Sequence, residues 1–359
     1  MHIQPTNLAD TPLGRTIAET PTDIWNDSSN IDELAYAVEF GAVGATANPT
    51  IVVDNWRADP SHWATRARAL AAEQATWSER DVAWAIVAEM SVRAAPLLMP
   101  AFAQSGGRAG RLSIQTDPTL WRDTDALVAQ AREFDGLAPN VIVKLPATRA
   151  GIAAMEEATY HGVSINATVS FSVAQAVAAA AAVERGLERR DAENRDTTRM
   201  GPVITIMMGR LEDWLRESAD AGGLSPHPVA IPWAGVAVVK RARAEWIARR
   251  FRARLLGAAI RHHLHWSELI GGDLILTLPS VWQKRFNASS VEVRSRIDDP
   301  VDPAHLAELR HLPDFVHAFE PDGLAVDEFD AWGPTRRTLR AFIGSYHDLL
   351  HLVTEAQFA

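Results

Sequence analysis

The sequence predicts an α/β chain folded as a single (β/α)8 TIM barrel with extra C-terminal helices. Short apolar runs alternate with longer helical patterns from end to end, the signature of repeated βα units around a parallel sheet. About eight such runs can be read, the number a closed barrel needs. Each run ends in polar or small residues before the next helix begins.

In chain order the predicted strands are Asp23 to Asp27, Gly44 to Ala47, Leu112 to Thr116, Val141 to Leu145, Ser164 to Thr168, Val203 to Met207, Leu255 to Ile260 and Leu274 to Leu278. Residues 1–20 form an N-terminal extension, 21–300 the barrel, and 301–359 helices packed on it. Ser78 with Asp81 three residues on offers an N-cap ahead of a periodic segment reaching about Ala103. Glu184 to Met200, dense in Arg, Glu and Asp, reads as a solvated helix end and loop. Ala219 to Pro232, rich in Gly and Pro, reads as an excursion loop. From Val301 onward the pattern is helical, broken at Pro321 to Gly323 and at Gly333-Pro334. No repeat of fixed 20 to 50 residue period is visible beyond the βα alternation, which excludes a solenoid.

Composition narrows the function. The 359 residues carry a formal charge of −10, which argues against nucleic acid or an anionic membrane as the general partner. Cysteine is absent, so disulfides, thiolate nucleophiles and Cys-based zinc sites are excluded, in keeping with a cytoplasmic location. Met1 to Arg15 lacks the apolar core of a secretory signal. The longest apolar stretch, taken as Ala174 to Val183, is too short and too alanine-rich to cross a bilayer.

Lys144 stands out. It sits in Val141-Ile142-Val143-Lys144-Leu145-Pro146, an apolar, β-branched run in which a cation is costly. The chain has only three lysines, Lys144, Lys240 and Lys284, within 35 basic residues, so arginine supplies nearly all its positive charge. Arginine stays protonated, whereas a desolvated lysine can become a neutral amine and attack a carbonyl. A strand-end lysine that snorkels or pairs with a carboxylate is the plain alternative.

Other polar residues mark the ends of the predicted strands, where a parallel barrel collects its functional groups. Asp27 ends the first and Asn48 follows the second. Gln115 lies late in the third, and Asn166 and Thr168 in the fifth. Arg210 follows the sixth and Arg261 the seventh. Each has a structural alternative. Asp27 could cap a helix, in competition with Ser28 and Ser29, and Asn48 could shape a turn before Pro49. Thr168 could be a β-branched strand residue, and Arg210 could pair with Glu212 or Asp213. His262, His263 and His265 beside Arg261 suggest a metal, but their spacing supplies no clear carboxylate partner.

Several segments resemble the transaldolase family. Gly44-Ala45-Thr46-Ala47-Asn48-Pro49 is similar to its Gly-x-Thr-x-Asn-Pro segment, Asn140 to Thr148 to its Schiff-base strand, and Gly162 to Thr168 to its Asn-x-Thr strand. Further matches are Phe171-Ser172 with Gln175, Gly209-Arg210 with Asp213-Trp214, and Ala258-Ala259-Ile260-Arg261. They run in order from about Trp25 to the C-terminal helices. The resemblance implies a class I aldol mechanism without metal or cofactor, acting on sugar phosphates in the pentose phosphate pathway. Lys144 would form the imine, Asp27 would act as acid and base, and Gln115 with Thr168 would orient a water. Asn48 and Asn166 would hold the dihydroxyacetone portion, and Arg210 and Arg261 the phosphate. The oligomeric state is left open between monomer and homodimer.

Three departures qualify the match. Gln115 replaces a glutamate, as in the fructose-6-phosphate aldolases, and an amide can hold a water but cannot act as a base. Met207 stands where those aldolases have a tyrosine, and Ala259 where a phosphate-binding serine is common. Beside transfer of a dihydroxyacetone unit, the sequence therefore leaves open free aldol cleavage and synthesis, and a non-catalytic sugar-phosphate-binding barrel.

Overall fold

A computed structural model of the chain describes residues 7, 10–224, 226 and 228–358. Most of Met1 to Arg15 and two positions of the Ala219 to Pro232 loop lie outside the described residues. Eight parallel strands close a barrel in sequential order: β1 (Asp23–Asn26), β2 (Gly44–Thr46), β3 (Arg111–Gln115), β4 (Val141–Pro146), β5 (Ile165–Thr168), β6 (Val203–Met207), β7 (Arg254–Ala258) and β8 (Leu274–Leu278). All eight expected strands are present, β6 and β8 with the expected ends and the other six with ends shifted by one or two residues. Closure comes from β1 pairing with β8 over four residues, Asp23↔Ile275 through Asn26↔Leu278.

The period-2 alternation of strand side chains sorts the residues between two cores. Val143, Leu145, Ile165, Ala167, Ile204, Ile206, Leu276 and Leu278 face outward and pack beneath the helices. Trp25, Ile142, Val203, Leu256, Ala258 and Ile275 fill the barrel itself. Gly44 is required there: a Cβ at this position would lie 2.3 Å from the Trp25 ring. Beyond this plug, the inward residues turn polar toward the C-terminal ends of the strands. Thr46 and Thr277 hydroxyls meet at 2.8 Å, and Ser113, Asn166 and Thr205 form a buried chain.

Helix Glu79–Gln104 begins in the capping box expected at Ser78 and Asp81. It contains Pro96 and Pro100, and it is the one helix among the described residues long and apolar enough to cross a membrane by length and composition. Half of its most apolar window is buried against the rest of the protein. The apolar maximum is thus this helix and not Ala174 to Val183, whose alanines form the buried face of helix Val173–Ala192.

At the C-terminus, Gly333-Pro334 starts the 26-residue helix Gly333–Phe358 instead of merely interrupting a pattern, because Pro needs no backbone N–H in a first helical turn. Gly333 is pressed against Trp214, whose ring would be 2.0 Å from an added Cβ. Indole N–H groups of Trp214 and Trp332 both donate to Asp314, fixing this corner. The helix then runs along the C-terminal rim of the barrel: Thr335 accepts from Gln175 after β5, Phe342 lies against Arg210 after β6, and Ser345 meets Thr50 after β2.

Candidate active site at the C-terminal end of the barrel

Lys144 projects from β4 into the polar end of the barrel, with the residue only 6% exposed. Its ammonium donates to the Ala47 carbonyl at 3.0 Å. Burial, together with the positive field of Arg210, lowers its pKa to about 8, against the opposing pull of the Asp27 carboxylate. Asp27, at the end of β1, is pushed the other way: burial raises it, while Lys144, a hydrogen bond from Thr46, and Arg210 and Arg261 hold it down. Each charge is desolvated, and each is the other's compensation.

Asp27 does not cap the following helix. Asn30 does, accepting from the backbone N–H groups of Asp32 and Glu33, which leaves the Asp27 carboxylate facing inward to accept from Thr46 Oγ1 at 2.6 Å. Asn48 does cap its helix, with Oδ1 taking N–H groups from Thr50 and Ile51. That bond fixes the amide plane and directs its NH2 group away from the helix end. Asn166 is adjacent to Lys144 in register, but its amide is fully buried and already satisfied, donating to Ser113 Oγ and accepting from Thr205 Oγ1.

Gln115 pairs with Lys144 in the β3–β4 register. Its Oε1 is buried without a hydrogen-bond partner among the described residues, an unmet acceptor at the C-terminal end of β3. Thr168 Oγ1 lies 3.9 Å from Met207 Sδ, so the thioether occupies the space beside the hydroxyl. Gln115, Thr168 and Met207 are thus neutral groups at the C-terminal ends of β3, β5 and β6.

The two arginines form a cationic edge. Arg210 makes no ion pair among the described residues; its guanidinium lies over Phe342 at 4.9 Å, and burial and Arg261 lower its pKa. Arg261 is half exposed and is held by Asp213, at 2.8 and 3.2 Å. The alternative reading of Arg210, an ion pair with Glu212 or Asp213, does not form among the described residues. Glu212 instead joins His262 and His265, so the histidines do have a carboxylate beside them, brought from 50 residues away in sequence by the β6–β7 packing.

Sequence reading passed over the supporting residues Thr46, Ser113, Thr205 and Thr277. Their signal was present: each is a polar residue at an inward position of an otherwise apolar strand, where a hydroxyl requires a partner. Glu212 carried no such signal, since helix position alone does not disclose burial.

Fold and site together define a (β/α)8 barrel with a buried lysine amine beside a carboxylate and an arginine pair at its mouth. The chain belongs to the transaldolase/fructose-6-phosphate aldolase family, whose model matches residues 24–332. It is similar to a transaldolase of Thiobacillus denitrificans, 33% identical over 209 residues, covering 56% of this chain and 57% of that protein. It is also similar to transaldolase 1 of Streptomyces avermitilis, 38% identical over 121 residues, covering 33% of this chain and 32% of the relative. A transaldolase of Thermobifida fusca is 32% identical over 188 residues, covering 52% and 50%. The chain thus spans about half or less of the length of these curated relatives.

Proposed function

We propose that this protein is a cytoplasmic transaldolase-type enzyme that moves a dihydroxyacetone unit between sugar phosphates through an imine on Lys144, the chemistry residing in the barrel of residues 21–300. The observation that carries this reading is the buried amine with its pKa lowered to about 8 beside the Asp27 carboxylate. The neutral Nζ attacks the C2 carbonyl of a ketose phosphate, and the carbinolamine takes up one proton from solvent water and loses its hydroxyl as water to leave an iminium, a proton returned when the iminium is finally hydrolysed. Asp27 removes the C4 hydroxyl proton, the C3–C4 bond breaks, and its electron pair flows into the iminium to give an enamine and a free aldehyde. The enamine carbon then attacks an acceptor aldehyde, Asp27 returns the proton to the new alkoxide, and water hydrolyses the iminium to release the product ketose.

Asn48 supplies a donor near the reacting portion, and Arg210 and Arg261 receive the phosphate, a dianion suited to two permanently charged planar forks. Asn166, already bonded on both sides, serves this scheme by shaping the floor beneath Lys144. Gln115 and Thr168 hold the water that relays protons, through the unmet Oε1 acceptor. No step requires a metal or cofactor.

Gln115 and Met207 favour a second reading, free aldol cleavage and synthesis by the same imine. Without a basic carboxylate at position 115, release of the three-carbon unit by protonation competes with capture. Borohydride reduction in the presence of fructose 6-phosphate, followed by peptide mass analysis, should place a three-carbon adduct on Lys144. A protein that stays unlabelled at Lys144 would sink both enzymatic readings for this donor and leave the non-catalytic barrel. Product formation with and without an acceptor aldose then separates transfer from free cleavage.

A further inference from the structure

Behind the arginine pair lies a polar cluster that the chemistry above does not use. Glu212, fully buried on helix Met208–Ala221, has one oxygen 2.7 Å from His265 Nε2 and the other 3.0 Å from His262 Nε2. Arg216 approaches the same carboxylate at 3.6 Å. The two imidazole rings are 4.0 Å apart, and the three side chains have donor atoms within 4.8 Å of one another, a spacing compatible with a metal ion.

The hydrogen-bond pattern argues otherwise. His265 Nδ1 accepts the backbone N–H of Arg261 at 3.2 Å, so its lone pair is occupied and the ring proton must sit on Nε2. That Nε2–H donates to Glu212 Oε1. A metal on His265 would have to remove the ring's last proton or displace the Arg261 amide, with the Arg216 and Arg261 cations nearby. Burial pushes Glu212 up, whereas the charge the histidines can carry and their hydrogen bonds bring it down, so the carboxylate is held ionised by the groups around it.

The network ends on the anion-binding edge. Arg261 follows Ala259, whose φ of +61° is a left-handed conformation that a side chain rarely adopts. On the other side of this loop is Gly209, where an added Cβ would lie 2.0 Å from the Ala259 carbonyl and 2.5 Å from Arg261 Cγ. Gly209 and Glu212 lie on the helix that also presents Arg210. The strained loop is therefore gripped between Gly209 and His265, and both grips come from, or are anchored to, the helix carrying the other arginine.

We propose that Glu212 and His265 are positioning residues that lock the loop bearing Arg261 to the helix bearing Arg210, setting the spacing of the two guanidinium groups and hence the affinity for a phosphate-bearing substrate. His262 completes the carboxylate's hydrogen bonds. This rests on the reading of Arg210 and Arg261 as the phosphate site, and it adds to the direct hold of Asp213 on the Arg261 guanidinium a Glu–His pair that fixes the backbone of the Arg261 loop.

The test compares Glu212→Gln, His265→Phe and His265→Asn with the unaltered protein. Calorimetric titration with inorganic phosphate and with fructose 6-phosphate reads the anion site, and borohydride trapping of unphosphorylated dihydroxyacetone on Lys144 reads the amine independently. Glu212→Gln and His265→Phe should weaken phosphate binding about ten-fold, the usual consequence of orphaning a buried polar partner, with dihydroxyacetone trapping unchanged. His265→Asn should recover most of the affinity, because its Oδ1 can take the Arg261 N–H, whereas a merely structural role would not distinguish Asn from Phe by phosphate affinity. Unchanged phosphate affinity in the folded variants, or equal losses for Asn and Phe, overturns the proposal. If Glu212→Gln does not fold, the two His265 variants still decide. One equivalent of tightly bound zinc in the purified protein, lost in His265→Asn, would also overturn it in favour of a metal site. No dihydroxyacetone adduct on Lys144 in the unaltered protein counts against the imine mechanism, and the phosphate titrations still decide the positioning role.

Discussion

The pKa of Lys144 yields a prediction whose sign is easy to mistake. A fall from the ordinary 10.5 to about 8 multiplies the neutral amine available at pH 7 by about 300, from about 0.03% to about 9%. The rate of imine formation, followed by cyanoborohydride trapping of dihydroxyacetone and mass analysis of the Lys144 peptide, should climb with pH through a midpoint near pH 8 and level off at about one pH unit above it. Replacing Asp27 with Asn removes the negative neighbour that holds the ammonium form in place, so the midpoint must move to lower pH. The same substitution stops turnover by removing the acid/base group, which is why trapping and not product formation is the assay. A trapping rate still rising above pH 10, or a midpoint that moves upward in Asp27→Asn, would refute the electrostatic account of the site.

Three further outcomes follow from the geometry. The stability difference between Lys144→Met and the parent should shift by up to about 3 kcal/mol in the parent's favour as pH rises from about 8 to about 10.5, since a lysine whose folded pKa is depressed subtracts stability below about pH 8; at pH 7 the variant also carries the cost of leaving the buried Asp27 carboxylate without its cation. Chemical denaturation of both proteins at pH 7 and pH 10 would show this shift, and a difference that does not change with pH would contradict the linkage. Arg261→Ala should raise KM for fructose 6-phosphate by at least ten-fold and leave that for dihydroxyacetone nearly unchanged, since a charged hydrogen bond to the phosphate is lost and nothing near the amine moves; equal effects on both substrates would discard the phosphate role. Gly44→Ala should cost about 1 to 3 kcal/mol through overpacking against Trp25, visible as a lower thermal midpoint, and an unchanged midpoint would show that the barrel interior can yield.

The eight strands were legible because a parallel strand is buried on both faces and writes a short β-branched run into the sequence, bounded by polar residues. Lys144, Gln115 and Thr168 were legible for the converse reason, each being polar where the run demands apolar. Asp27 had a cap as its structural alternative and Asn48 a turn before Pro49, and only the tertiary structure separates them: Asn30 takes the cap that Asp27 could have had, while Asn48 caps the helix that follows it. The same holds for Asn166, whose position in the Asn-x-Thr strand says nothing of the Ser113 and Thr205 hydroxyls that close around it.

By itself the sequence determined the number and order of the βα units, the family they resemble, and which strand ends bear polar groups, because burial and strand period act on residues close together in the chain. Only the tertiary structure decided how those groups are charged and joined. Pairings such as Lys144 with Asp27, Arg261 with Asp213, and Glu212 with His265 connect residues some 50 to 120 positions apart, and no local pattern encodes them. The electrostatic state of a group depends on the burial and charges around it in space, and these exist only once the barrel has closed.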